Sequence, residues 1–216
     1  MTCGEMRNMN CELGPLSRPD GSALFTLGES MTLSAVYGPC EVKPQKLLTE
    51  NATVEVSYKP KTGLSSVTDK LKEATLTNIC KTAILSSQHP RTSISVIVQE
   101  MQDSGGLLAC SINCACLALM NAGIPLKYLF AAVSCMITHD NEIILDPDSK
   151  QLKESKASFT IVFDSIDKNV LSSESSGTFT KCEMDAVTST CCSASTKMFQ
   201  FYRDIVKKSN MDRLGH

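Results

Sequence analysis

The sequence predicts an α+β fold, helices packed on mixed β-sheets, and three observations carry the prediction. Within 92–124 the apolar residues change period. Ile94, Val96 and Val98 alternate as on a half-buried strand, and then Leu108, Ile112, Cys116, Leu119 and Met120 recur at helical spacing. The order strands-then-helix occurs twice along the chain, which suits helices laid on sheets. In 181–208, Met184, Val187, Cys191, Ala194, Met198, Phe201 and Ile205 step by threes and fours, an unbroken core-facing stripe. At 216 residues the chain can bury a substantial core, as one large domain or two fused halves.

The elements follow in order. Residues 1–20 are polar and turn-rich, and Arg18-Pro19-Asp20-Gly21 is a strong turn signal. Segments 22–27 and 30–37, separated by Gly28-Glu29, read as a hairpin. Residues 44–50 read as a loop, and 53–58 alternate cleanly as a third strand stopped by Pro60. A helix is expected over 67–87, with Leu71, Thr75, Asn78, Ile79 and Thr82 along one face, ended by His89-Pro90-Arg91. After the central strand and helix, 127–137, 143–145 and 159–163 are strand-like, a shorter strand lies near 177–179, and the long helix closes the chain.

Composition narrows the function classes. The chain is 42% hydrophobic and 20% charged with no Trp, so its core must rest on aliphatics, Met and Cys. A formal charge of −2 does not advertise nucleic-acid binding, so any RNA contact must be local or shared with other subunits. The N-terminus lacks an apolar signal-peptide core, and no apolar run is long enough to cross a membrane. Eleven cysteines, of which Cys80, Cys116, Cys135 and Cys191 sit on apolar faces, read as reduced thiols acting as small hydrophobes in cytoplasm or nucleus.

Candidate chemistry centres on Asp103-Ser104-Gly105-Gly106, a turn that doubles as a helix N-terminus. A strand feeding a glycine turn and then a helix can hold an anion on free backbone N–H groups. The plainer alternative is close packing, with Ser104 or Asp103 as N-cap. Lys59-Pro60-Lys61-Thr62-Gly63 is a basic loop, or simply a solvated turn. Cys110, Cys114 and Cys116 do not complete a metal site, and Cys191-Cys192 cannot close an ordinary disulfide. A Cys nucleophile would need a nearby His, and His89, His139 and His216 all fall in loops or tails. Asp146-Pro147-Asp148, with Glu154 beyond, could hold Mg²⁺ but reads better as a turn. No metal or cofactor is expected.

Together these stretches resemble the ribonuclease PH family. Ser17-Arg18-Pro19-Asp20-Gly21-Ser22-Ala23, the Gly28 hairpin and Val54-Glu55-Val56-Ser57-Tyr58 look like the opening of such a domain. The run from Asp103 to Ile112, followed by Cys116-Leu117-Ala118-Leu119, matches the family's phosphate turn and helix. The match continues through Ala131-Ala132-Val133-Ser134 and from Leu145 to Gln151. The resemblance covers 12–207 as a single ribonuclease PH-like domain, leaving 1–11 and 208–216 as tails. Within the family, Leu16 to Ala23, His89-Pro90-Arg91-Thr92, Ser104 to Cys110 and Phe201-Tyr202-Arg203 look like a ring subunit of the eukaryotic RNA exosome.

Departures from the family pattern shape the functional expectation. Active members carry a phosphate-binding Arg two residues after the Gly-Gly; here the position is Leu108, which cannot pair with an anion. A further substrate-gripping Arg falls around Leu71, flanked by Lys70 and Lys72. Two acidic positions become Leu152 and Ser158, and Glu154 faces with them on a two-residue period. Losing the Arg and both acids removes most transition-state stabilisation for phosphorolysis. The resemblance therefore implies a non-catalytic ring subunit that helps thread single-stranded RNA, in the nucleus, nucleolus and cytoplasm. Its partners would be other ribonuclease PH-like subunits, OB-fold and KH caps and hydrolytic nucleases. Lys59, Lys61, Lys70, Lys72 and Arg91 are the candidate RNA contacts. Two rivals are a residual phosphorolytic exoribonuclease using Glu154 or Asp148, and a free homodimer binding RNA or DNA.

Overall fold

In the computed structural model, which describes residues 6–42 and 44–214, two sheets flank a central helix. The first sheet holds β1 (Met9–Leu13), β2 (Gly21–Leu27), β3 (Ser30–Glu41), β4 (Thr53–Lys59) and β5 (Thr92–Gln102), in the order β1-β2-β3-β5-β4. All its neighbours pair antiparallel except β4 and β5, which are parallel because α1 (Val67–Ala83) crosses between them. The second sheet is antiparallel, in the order β7-β6-β8-β9, from β6 (Phe130–Ile137), β7 (Ile143–Leu145), β8 (Ala157–Asp164) and β9 (Val170–Gly177).

α2 (Leu107–Ala122) lies between the halves and is buried on every side from Ala109 to Leu119. Its one long polar side chain is satisfied by both neighbours. Asn113 Nδ2 donates to the Ala132 carbonyl (3.0 Å), while Asn113 Oδ1 accepts from the Ala132 N–H (2.7 Å) and the Tyr202 hydroxyl (2.9 Å). Tyr202 belongs to α4 (Lys181–Leu214), which serves both cores. Val187, Cys191 and Ala194 pack with the second sheet, and Met198, Phe199 and Tyr202 with the first-sheet core. The long stripe read from the sequence is thus one helix face spanning two cores.

Several boundaries move. The expected tail 1–11 contains β1 from Met9 onward, paired with β2, and Arg7 is tied into the fold; residues 1–5 lie outside the described residues. Five residues of mixed polarity are too short a pattern to announce a strand; β2 supplies the register. The expected tail 208–216 is helical up to Leu214, and His216 lies outside the described residues. The helix expected to reach residue 87 stops at Ala83, because Leu85 N–H bonds the Pro125 carbonyl (2.9 Å) and Lys127 N–H the Ala83 carbonyl (2.8 Å). Its core face is Leu76, Ile79, Cys80 and Ala83, whereas Leu71 points outward and is 57% exposed. The strand expected near 177–179 ends at Gly177 and begins at Val170.

Candidate functional site

The β5–α2 turn is shaped by what presses on it. Gly105 and Gly106 have φ of +107° and +65°, conformations that a side chain would strain. A Cβ on Gly105 would lie 2.5 Å from the Pro147 carbonyl, and one on Gly106 would lie 2.7 Å from Ser134 Oγ. The turn thus needs glycine for close approach to the loop after β7 as well as for backbone direction. Ser30 holds it from below: Ser104 N–H donates to Ser30 Oγ (3.1 Å), which donates to the Gly105 carbonyl (2.7 Å).

Neither Asp103 nor Ser104 is the N-cap. Asp103 Oδ1 accepts from the Gly105 N–H (2.9 Å), and the N-cap is Gly106, which offers no side-chain acceptor to the first turn. That bare helix start borders a cavity of about 340 Å³. Leu108 from α2, Leu152 from α3 (Ser149–Lys153), Ser158 from β8 and Lys72 from α1 line it. The three positions singled out by sequence for missing charge therefore meet in one place. Lys72 and Asp103 are the charged residues of the lining, and both have duties elsewhere. Asp103 holds its turn, while Lys72 Nζ sits 5.2 Å from the Tyr58 ring centroid and 3.8 Å from Asp69 Oδ1.

Glu154 and Asp148 stand apart from the cavity lining. The two-residue period expected for 152–158 does not exist, because 149–153 is helical: Leu152 arrives from α3 and Ser158 from β8. Asp148 caps α3 in a reciprocal box with Gln151, and Glu154 is its exposed C-cap. Asp146-Pro147-Asp148 is a turn, as read, but its first carboxylate is buried at 6% exposure.

Arg7, overlooked in the expected tail, explains that burial. Its Nη2 and Nε donate to the two Asp146 oxygens at 2.6 and 2.7 Å, and Nη1 reaches Asp148 Oδ1 at 3.0 Å. The same guanidinium donates to the carbonyls of Ser104 (3.3 Å) and Gly105 (3.0 Å). Burial lowers the basicity of Arg7, but Asp146 and Asp148 outweigh it and raise its pKa above the usual arginine value. One side chain thus joins the N-terminal segment, the glycine turn and the loop after β7. Five residues of mixed sequence around Arg7 held no signal for this.

The basic candidates separate. Lys59 ends β4 and Lys61 follows it in the loop, both exposed. Lys70 is exposed and pairs with Glu73 at 2.8 Å. Arg91 precedes β5 at φ +60°, roughly 30 Å along that strand from the glycine turn. It belongs to the other end of the sheet, and no single patch unites all five.

The cysteines behave as core residues. Cys110 lies 3.3 Å from Thr32 Oγ1, and Cys114 donates to the Ala23 carbonyl at 3.1 Å. Burial pushes the thiols of Cys80, Cys110 and Cys116 up to about 12, so they stay protonated. Among the described residues no group of three His, Cys, Asp or Glu could hold a metal ion. His89 and His139 lie in loops, apart from the cavity lining.

Comparison with known proteins agrees with this architecture. The model of the 3' exoribonuclease family, domain 1, matches residues 5–125, and that of domain 2 matches 128–189. An "Exosome complex exonuclease RRP46 homolog" of Oryza sativa subsp. japonica is 38% identical over 170 residues, 79% of this chain and 71% of that one. An "Exosome complex component RRP46 homolog" of Caenorhabditis elegans is 32% identical over 213 residues, 95% of this chain and 96% of its own. The crystal structure of rice Rrp46 superposes with a TM-score of 0.91 at 33% identity, covering 96% of this chain and 98% of that one. With both halves matched and such relatives aligned over most of their length, the chain belongs to the 3' exoribonuclease family of ribonuclease PH type.

Proposed function

We propose that this chain is a non-catalytic ring subunit of an RNA exosome, completing the ring and its channel for 3'-to-5' RNA processing and degradation. The cavity carries the reading. Its walls offer Leu108, Leu152 and Ser158 where phosphorolysis in the family draws on an anion-binding Arg and two acids. Similarity to chains named as exosome complex Rrp46 supports the assembly. Its neighbours would be other ribonuclease PH-like subunits, with OB-fold and KH caps above and hydrolytic nucleases doing the cutting, in nucleus, nucleolus and cytoplasm. RNA contact would be electrostatic and sequence-independent, through Lys59 and Lys61 at the exposed end of β4.

The test is phosphorolysis of single-stranded RNA by the purified chain, with and without inorganic phosphate. The expected result is no phosphate-dependent release of nucleoside diphosphates. Release that disappears in Asp148→Asn or Glu154→Gln would establish a rearranged acid and overturn the reading.

A further inference from the structure

The helix that carries Lys70 and Lys72 has an outward face without intrachain work. α1 turns Leu76, Ile79, Cys80 and Ala83 to the core. On the opposite side Leu64, Val67 and Leu71 are 98%, 88% and 57% exposed. Their spacing of three and then four places them along one line. The start of α1 does not depend on them, since Ser66 and Asp69 cap it reciprocally. The three side chains expose on the order of 400 Å² of mostly apolar surface, about half of one side of a standard interface. Large apolar side chains gathered so openly mark a contact surface.

The surrounding charges decide what covers it. Lys70 and Lys81 share one flank of α1, and Lys61 stands just before its start. The nearest carboxylates are already committed. Asp69 accepts from Ser66 N–H and Oγ, and Glu73 accepts from Tyr58 N–H and Lys70. An antiparallel two-fold contact between copies would set Lys70 and Lys81 against the same lysines of the other copy, a like-charge arrangement. Single-stranded nucleic acid prefers aromatic platforms, and this stripe has none.

We propose that the Leu64–Val67–Leu71 stripe docks a different chain of the ring, a ribonuclease PH-like subunit presenting an apolar patch edged with carboxylates. The inference rests on the ring reading and deepens it. Leu71, near the position where the family resemblance places a substrate-gripping Arg, here serves subunit contact. The helix counted among the RNA-binding candidates becomes chiefly a protein surface.

The experiment pairs the full-length chain with each of the other ribonuclease PH-like ring subunits and measures Kd by sedimentation. The variant is Leu64→Ser/Val67→Ser/Leu71→Ser, whose thermal midpoint should match the parent because none of the three is buried. The expected result is a Kd at least tenfold weaker for one of those subunits, with Lys61→Glu/Lys70→Glu weakening the same pair. Unchanged affinity for every subunit would overturn the inference while leaving the ring reading intact. Loss of self-association, or of RNA binding alone, would assign the stripe to a second copy or to RNA and overturn it too. A parent chain that binds none of the subunits would defeat the ring reading, and the inference with it.

Discussion

The two sides of the Gly105–Gly106 turn are built in opposite ways. Behind the turn, Arg7, Asp146, Asp148 and Ser30 form a dense set of bonds in which a buried carboxylate has a bidentate partner. In front of it the cavity presents Leu108, Leu152 and Ser158, which can neither bind an anion nor pass a proton as an acid. The difference shows which demands persist when chemistry is absent. A turn with positive φ and a buried charge must be held whatever the chain does, because an unsupported charge would cost more than the turn could repay. The cavity wall has no such obligation, and aliphatic or hydroxyl side chains sit there without strain.

Substitutions on the two sides should therefore differ sharply. Arg7→Ala has the largest expected effect, since it leaves Asp146 buried without its cation; a loss of about 3 kcal/mol is expected in urea unfolding. Combining Arg7→Met with Asp146→Asn removes the charge as well and should recover at least about 1 kcal/mol, since Asn tolerates the left-handed backbone at that position. Equal instability of the single and double variants would show that packing, not the charge, dominates behind the turn. Gly105→Ala comes next, at about 2 kcal/mol, because a Cβ meets the Pro147 carbonyl and φ is +107°. In front, Leu108→Arg should shift stability by less than about 1 kcal/mol. It should also leave phosphorolysis undetectable, because Leu152 and Ser158 still supply no acid. Activity recovered by this one change would mean that the cavity retains an unseen acid.

Local periodicity determined much of this protein. The Ile94–Val96–Val98 alternation, the α2 spacing and the long α4 stripe each follow from which residues recur at two or at three to four positions, and each became an element. Leu108, Leu152 and Ser158 could also be named in advance, because their chemistry is a property of residue type. What the sequence could not reveal depends on partners far along the chain. Arg7 meets Asp146 across 139 residues, and β1 exists because β2 lies beside it. α1 stops at Ala83 because Pro125 and Lys127 claim the backbone there. The separation of Arg91 from the lysines near the cavity, and the outward turn of Leu71, were likewise set by how α1 and β5 sit in the sheet. A period tells which residues share a face; only the packed structure decides where that face looks, because burial is a relation between segments.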